Sequence, residues 1–177
     1  MENIIYVRKM KEGYFLKYKD FLCRAFIGKN GLTKNKIEGD LCTPIGKFEL
    51  GDAIFANDEN IFDESFNVIK LNKNLYFVEE SNSNFYNKLV DLEKTVLDFV
   101  VDEKRMIDHK ELFEYAVEIK INPKNIKQKG SATFLHIKGK NDYTKGCIAI
   151  KRSDALVLFK KINKNTIIDI EEWLWIF

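Results

Sequence analysis

Hydrophobic and polar residues alternate in short stretches along the first third of the chain, which is the pattern of half-buried β-strands. Three such stretches, rich in aromatic and β-branched residues, lie at 3–8, 14–18 and 21–27. Gly13 and the pair Lys19-Asp20 separate them, as turn residues separate paired strands. The polar segment 28–46 follows, with four glycines and one proline. Because loops of this length inside a compact domain are usually functional or disordered, we mark this segment for its chemistry.

The remainder of the chain shows the same strand pattern and one clear helix. Further strands are predicted at 47–50, 68–71, 75–78, 115–121, 132–138 and 166–170. Weaker helical patterns cover 85–97 and 110–115, and Ser153-Asp154 is expected to cap an amphipathic helix. Many short strands with few helices predict a mainly β fold, a β-sandwich or a partly open barrel, with a few short helices.

The composition is that of a single globular domain. The 177 residues are 45% hydrophobic and 13% aromatic, enough for a substantial core, so we expect one domain over 1–177. Trp173 and Trp175 are expected to cover one end of that core. The 29 Lys and Arg nearly balance the 27 Asp and Glu. This balance argues against a nucleic-acid partner, because nucleic-acid binders concentrate basic residues.

The distribution of apolar residues also bears on location. No stretch approaches eighteen consecutive apolar residues, so no membrane span is predicted. Glu2 and Asn3 stand where a signal peptide carries positive charge. Taken as the native start, this predicts a cytoplasmic protein; with an earlier native start, the periplasm or the cell wall is the alternative.

Three cysteines without C-x-x-C spacing indicate neither a disulfide framework nor a zinc site. The sequence gives no indication of oligomeric state.

The segment 130–150 contains the residues best suited to catalysis. His136 ends a predicted strand, and Cys147 follows after a polar loop that can fold back on that strand. A thiol becomes a strong nucleophile when a neighbouring imidazole takes its proton. Gly146 lets the backbone approach a substrate closely, and its N–H with that of Cys147 can bind a developing oxyanion. Lys145 adds positive potential that favours the thiolate. Together these residues form the parts of a cysteine acyl-transfer site.

A structural role is the alternative for such residues, because cysteine is among the most buried residue types. Spacing alone leaves both interpretations of the cysteine–histidine pair open. Cys23, in an apolar strand, is interpreted as a core thiol, and His109, in a charged stretch, as a solvated side chain. Glu38 and Asp40 are expected to support the long polar loop by accepting backbone N–H bonds, and acid–base chemistry is the alternative.

Two blocks of the sequence resemble the L,D-transpeptidase (YkuD-type) family, and specifically its branch without signal peptides. Thr144-Lys145-Gly146-Cys147 matches the family motif [S/T]-x-G-C, and GSATFLH at 130–136 is similar to the strand that precedes it. A second family pattern, K-x-E-G-D-x-x-T-P-x-G-x-F beginning at Lys36, is matched at Glu38, Gly39, Asp40, Thr43, Pro44, Gly46 and Phe48. The resemblance covers nearly the whole chain and implies the mainly β fold of that family.

The resemblance implies a role for each residue of the motif. Cys147 would be the nucleophile and His136 its general base, with the backbone carbonyl of Ile137 orienting the imidazole through Nδ1–H. The amides of Lys145, Gly146 and Cys147 would form the oxyanion hole, and Thr144 belongs with the substrate-binding residues.

Two departures from the family pattern concern substrate contacts. Many members have His at the position of Lys145 and Arg or Asn at that of Ala149, so contacts with the stem peptide are expected to differ here. Lys145 and Arg152, close in sequence to the nucleophile, are candidates to meet substrate carboxylates.

The reaction implied by the resemblance is acyl transfer on peptidoglycan stem peptides or muropeptides. Cys147 would attack the carbonyl of the third, L-centred diamino acid of a tetrapeptide stem, expel D-alanine and form a thioester. An amine would resolve the thioester to a 3→3 cross-link or an exchanged amino acid. Water would give L,D-carboxypeptidase activity, which trims tetrapeptides to tripeptides. No metal or cofactor is implied.

Two other functional classes compete with this interpretation. One is a catalytically silent module that binds cell-wall peptides; the presence of both His136 and Cys147 speaks against it. The other is a papain-like hydrolase of unrelated fold. Such an enzyme needs an Asn or Asp to orient the histidine and a longer helical half, which this strand-rich pattern does not supply.

Overall fold

The computed structural model describes residues 3–101 and 105–173, which are built mainly from β-strands. Thirteen strands are formed: β1 (Ile4–Met10), β2 (Gly13–Tyr18), β3 (Phe21–Phe26), β4 (Leu32–Thr33), β5 (Thr43–Pro44), β6 (Gly46–Phe55), β7 (Val68–Lys70), β8 (Leu75–Phe77), β9 (Leu89–Asp91), β10 (Tyr115–Ile119), β11 (Phe134–Ile137), β12 (Ile148–Ile150) and β13 (Ile167–Glu171). The described helices are α1 (Arg152–Leu158) and a 3₁₀ turn at Met106–His109. The prediction of a mainly β fold with a few short helices is confirmed.

Eight of the strands close into a barrel. Their order is β10-β11-β12-β3-β2-β1-β13-β6, and β6 pairs with β10 to complete the ring. β7 pairs with β6 outside the ring. Closure gives both β6 and β10 a partner on each side, so the barrel has no free edge.

The main core lies inside this ring. Apolar side chains from all eight barrel strands meet there, among them Val7 from β1, Leu16 from β2 and Ile168 from β13. Along β11, Leu135 and Ile137 belong to this core. Because side chains alternate along a strand, the neighbouring Phe134 and His136 project to the outer face of the barrel.

A second, smaller apolar cluster covers the outer face of β6, β10 and β11. Its buried members are Ile54, Leu71, Leu75, Phe77, Met106, Ala116 and Phe134. Residues 68–101 and 105–113, which include the antiparallel pair β8–β9, supply most of the covering side chains. Phe134 packs edge-on against Phe77 at 5.4 Å and against Phe113 at 5.3 Å between ring centroids. The outer face of β11 is therefore buried beneath this cover.

Three local expectations differ from the structure. The segment 85–97 forms turns and β9, without a helix, because its apolar residues pair with β8 and Asn87 has a positive φ of 59° that a helix does not allow. Likewise, 110–115 forms turns and the first residue of β10. Trp173 is 74% exposed and covers no core, whereas Trp175 lies outside the described residues.

The helix near the end of the chain forms where it was predicted. α1 begins at Arg152 with Lys151 as its N-cap residue, so Ser153 and Asp154 lie in the first turn and do not cap it. Its buried residues, Ala155 and Leu158, join the main core. Within the described part of the chain, no helix is long and apolar enough to cross a membrane.

Candidate active site

His136 lies in β11, and Cys147 immediately precedes the neighbouring parallel strand β12. In the register of β11 and β12, His136 is the partner of Ala149. The same register two positions earlier sets Cys147 beside Phe134, and the Phe134 N–H donates to Cys147 Sγ at 3.3 Å. Strand geometry then separates the Cα atoms of His136 and Cys147 by roughly 8 Å. Both side chains project from the outer face of the barrel, where Cys147 packs against the second apolar cluster.

The imidazole of His136 is held in one tautomer. Its Nδ1 lies 2.8 Å from the backbone carbonyl oxygen of Ile137. Because a carbonyl oxygen only accepts, Nδ1 carries the proton and Nε2 keeps a free lone pair. Burial lowers the pKa of His136, and the bond to Ile137 opposes this shift only in part. At neutral pH the ring is therefore a neutral base with Nε2 as its accepting atom.

The thiol of Cys147 is held close to the backbone of residues 132–134. It donates to the carbonyl of Ala132 at 3.5 Å and accepts the N–H of Phe134. Burial raises the pKa of Cys147 to about 11, with the Phe134 N–H opposing this shift and the charge of Glu79 adding to it. The resting pair is thus a neutral thiol beside a neutral imidazole, without a preformed ion pair.

The turn before the cysteine uses one of the amides expected in the oxyanion hole. The Gly146 N–H donates to Thr144 Oγ1 at 3.1 Å, and that hydroxyl donates to the Cys147 carbonyl at 2.6 Å. The Gly146 amide therefore has a partner within its own turn. For the amides of Lys145 and Cys147, a place in the oxyanion hole stays a prediction.

The two sequence blocks that carry the family resemblance meet at Gly146. Its φ of 144° favours glycine, and a Cβ here would lie 3.0 Å from the Cys42 carbonyl oxygen and 3.3 Å from Lys36 Nζ. Thr43 joins the blocks, since its hydroxyl donates to the Gly146 carbonyl at 2.9 Å and accepts the Gly28 N–H at 2.8 Å. Gly146 is therefore required because the polar loop 28–46 packs closely against it, whereas the sequence predicts a close approach by the substrate.

Asp40 supports the polar loop as expected. Its carboxylate accepts the N–H groups of Ile37 at 2.9 Å and Cys42 at 2.8 Å, and it pairs with Lys36. Burial raises the pKa of Asp40, but these bonds outweigh burial and hold it below its usual value. Lys36 also donates to the Cys42 carbonyl at 2.9 Å, so one cation links both sides of the loop.

Glu38 makes a different set of contacts from the one predicted. Its carboxylate accepts hydrogen bonds from two side-chain hydroxyls, Ser131 Oγ at 2.8 Å and Tyr86 OH. Both partners are side chains from other segments of the chain, which the fold brings against the polar loop. The predicted bonds to backbone amides of the loop are replaced by these two. Ser131 precedes Ala132, whose carbonyl accepts the thiol of Cys147. Glu38 therefore holds the chain next to the nucleophile.

Arg152 pairs with an acidic side chain of the protein itself. It follows the C-terminal end of β12, whereas Cys147 precedes the N-terminal end. Its guanidinium forms a two-point ion pair with Glu114, with Nε 2.7 Å from Oε2. This pairing occupies the guanidinium, and its contact with a substrate carboxylate stays a prediction. Lys145 is exposed in the loop beside the nucleophile.

The other cysteine and histidine interpretations agree with the structure. Cys23 is buried in the main core, and burial raises its pKa to about 12. His109 is exposed. Among residues 3–101 and 105–173, no group of three or more His, Cys, Asp or Glu side chains could hold a metal ion. The backbone contacts of Ala132 and Phe134 were missed, because they depend on the fold and not on residue type.

Comparison with known proteins places the chain in a family. Residues 4–170 match the sequence model of YkuD, the L,D-transpeptidase catalytic domain. The chain is also similar to the crystal structure of an L,D-transpeptidase from Mycobacterium tuberculosis H37Rv, with a TM-score of 0.46 and 10% identity. That similarity covers 96% of this chain and 57% of the other, so this chain spans little more than half of its length. No curated protein matches. Since the family match extends over almost the entire sequence, the chain belongs to the YkuD family of L,D-transpeptidase catalytic domains.

Proposed function

We propose that this domain catalyses cysteine-dependent acyl transfer on peptidoglycan tetrapeptide stems, with Cys147 as the nucleophile and His136 as the general base. The observation that carries the proposal is their common position on the outer face of β11 and β12, with Nε2 of a neutral imidazole free to accept a proton. Membership of the YkuD family supports the class of reaction.

The first step joins proton transfer to nucleophilic attack. Nε2 of His136 takes the thiol proton while Sγ of Cys147 forms a bond to the carbonyl carbon of the third stem residue. Because burial holds the pKa of the thiol near 11, a free thiolate is rare before substrate binds. The side chain of Cys147 must also turn from the Ala132 carbonyl towards Nε2. Activation of the nucleophile therefore includes the loss of this hydrogen bond.

The second step breaks the peptide bond to D-alanine. The imidazolium of His136 gives its proton to the departing amine, the C–N bond breaks, and a thioester forms at Cys147. An acceptor amine or a water molecule then loses a proton to Nε2 and attacks the thioester carbonyl. The imidazolium returns that proton to Sγ, which restores the resting thiol.

The acceptor decides between two activities of the same thioester. An amine gives a transpeptidase, and water gives an L,D-carboxypeptidase that converts tetrapeptide muropeptides to tripeptides. Water is present at about 55 M, so transfer dominates only where the acceptor amine is held at the site with a higher effective molarity. We take transpeptidation as the primary activity, with trimming as the alternative if the protein acts on dilute muropeptides in the cytoplasm.

The test is mass spectrometry of the purified protein incubated with a disaccharide-tetrapeptide, with and without an added D-amino acid. We expect release of D-alanine and an acyl adduct on the peptide that contains Cys147. Dimers or exchanged stems would identify a transpeptidase, and tripeptide alone a carboxypeptidase. Binding of the muropeptide without D-alanine release or an adduct would contradict the proposal and identify a silent binding module.

A further inference from the structure

Lys36, in the polar loop 28–46, is largely buried beside the turn that precedes the nucleophile. Its side chain is only 12% exposed, although lysine side chains are seldom buried unless they are paired. We infer that the Lys36 ammonium stabilises the negative charge that forms on Cys147 Sγ when the thiol proton moves to His136. The inference rests on the proposed function for the role of Cys147, and it adds a residue of the polar loop to that role.

The side chain of Lys36 runs from one glycine to another. A Cβ at Gly130 would lie 2.9 Å from Lys36 Cγ and 3.1 Å from its Cε, and a Cβ at Gly146 would lie 3.3 Å from its Nζ. A larger residue at Gly130 would therefore collide with the lysine, and one at Gly146 would crowd its ammonium. Gly146 immediately precedes Cys147 in the chain. The two glycines thus leave the space through which the ammonium reaches the turn of the nucleophile.

Hydrogen bonds fix the end of the side chain that carries the charge. Lys36 Nζ donates to the Cys42 carbonyl at 2.9 Å and pairs with the carboxylate of Asp40. Outside residues 145–147, the three atoms closest to a Cβ at Gly146 would be the carbonyl oxygen of Cys42, Lys36 Nζ and the carbonyl carbon of Cys42. The Asp40 carboxylate lies farther from this point. The ion pair therefore presents its positive end to the turn of the nucleophile.

The charge of Lys36 opposes effects that disfavour the thiolate of Cys147. Burial raises the pKa of Cys147 to about 11; the Phe134 N–H opposes this shift, the charge of Glu79 adds to it, and the charge of Lys36 opposes it. His136 is neutral at rest and becomes positive only when it takes the proton. Lys36 therefore supplies a positive charge that is already in place before the proton moves.

A second lysine, Lys145, lies next to Cys147 in the chain. Its side chain is exposed, so water and salt screen its charge. Lys36 is buried, and a charge in the interior acts more strongly on its surroundings than one in water. Lys36 is therefore the lysine with the stronger effect on the thiolate.

The experiment measures the rate at which iodoacetamide alkylates Cys147 at pH 8, by mass spectrometry of the peptide that contains this residue. Lys36→Met keeps an apolar side chain between the two glycines and removes the charge. It should slow alkylation about tenfold, because the thiolate is the reacting form and becomes rarer. Asp40→Asn keeps an oxygen acceptor and removes the counter-charge of Lys36. It should speed alkylation about threefold, because the ammonium is then less compensated.

The opposite signs separate an electrostatic role from a structural one. If the ion pair only held the polar loop in place, Lys36→Met and Asp40→Asn would change the alkylation rate in the same direction. Lys34→Met is the matched control, since it removes a positive charge from an exposed position of the same loop and should leave the rate unchanged. Thermal melting reports whether each variant folds. If Lys36→Met does not fold, Asp40→Asn decides alone, and a rate that does not rise overturns the inference.

The effect on catalysis is measured with a disaccharide-tetrapeptide. Lys36→Met should lower kcat for D-alanine release about tenfold and change KM by less than about twofold, because the charge acts on the nucleophile. If the unaltered protein releases D-alanine but Lys36→Met alkylates as fast as it, or both variants alkylate more slowly, the inference is overturned and the proposed function stands. If the unaltered protein releases no D-alanine, the proposed function fails, and the alkylation rates alone decide whether Lys36 acts on the thiol.

Discussion

The inner and outer faces of β11 differ in what they hold, although all four of its residues are buried. On the inner face, Leu135 and Ile137 pack into the closed barrel with side chains from the other seven barrel strands. On the outer face, Phe134 and His136 lie beneath a small cover formed by 68–101 and 105–113. The comparison shows how one short strand serves stability with one face and chemistry with the other.

The largest effect expected on the outer face is loss of the nucleophile. Cys147→Ala should abolish both D-alanine release and covalent capture of a carbapenem, because the register of β11 and β12 sets Cys147 on the face that holds His136. Cys23→Ala and Cys42→Ala should retain activity. The measurement is intact-protein mass together with turnover of a disaccharide-tetrapeptide. Near-normal activity in Cys147→Ala would contradict the assignment of catalysis to the outer face.

The second prediction concerns the general base, His136, on the outer face of β11. His136→Ala should lower kcat by on the order of 10² to 10⁴, the usual effect of losing a positioned general base. His109→Ala is the matched control, since His109 is exposed and distant in sequence from the nucleophile. Steady-state kinetics on both variants checks this. Equal activities would show that the outer face of β11 does not hold the base.

The third prediction concerns the inner face of the same strand. Leu135 is fully buried in the main core, so Leu135→Ala should lower the free energy of unfolding by about 2–5 kcal/mol through lost burial and a cavity. Val157→Ala, at an exposed position of α1, should change it by less than about 1 kcal/mol. Urea denaturation measures both. If Leu135→Ala is as mild as Val157→Ala, the inner face does not carry the stability assigned to it.

The smallest effect is a difference in thiol reactivity between the two faces. With a pKa of about 11, only about one Cys147 thiol in 10⁴ is ionised at pH 7, so alkylation by iodoacetamide should be slow. Its rate should rise about tenfold for each pH unit towards 11, because the thiolate is the reacting form. Cys23, inside the barrel, should react only when the protein unfolds. A pH-independent rate at Cys147 would refute this description of the resting site.

The sequence predicts the barrel strands with clear alternation and misses features that depend on contacts between segments. β1, β2 and β3 form within two residues of the predicted bounds. β6 is longer than the predicted 47–50, because Gly51 continues the strand where Glu118 crowds it; a Cβ at Gly51 would lie 1.9 Å from the Glu118 carboxylate. Local pattern cannot reveal that approach.

In the candidate site, too, the sequence predicts the local motifs and misses the contacts between distant segments. The motif around Cys147 and the strand that contains His136 are visible in sequence, and the structure pairs that strand with β12, which follows Cys147. The contacts of Glu38 with Tyr86 and Ser131 are invisible, because the three residues come from distant parts of the chain. The ion pair of Arg152 with Glu114 is likewise not visible in the sequence, since β12 separates Arg152 from the nucleophile along the chain.

The position of β13 in the ring has a consequence for synthesis on the ribosome. β13 is the last barrel strand to be translated, yet it lies between β1 and β6 and pairs with both. Until it emerges, the nascent barrel is an open sheet in which β1 and β6 each lack the partner that β13 supplies on one side. A product cut short before Ile167 would expose those edges and the apolar interior, both of which promote aggregation. Residues 136 and 147 are thus synthesised well before the barrel that supports them can close.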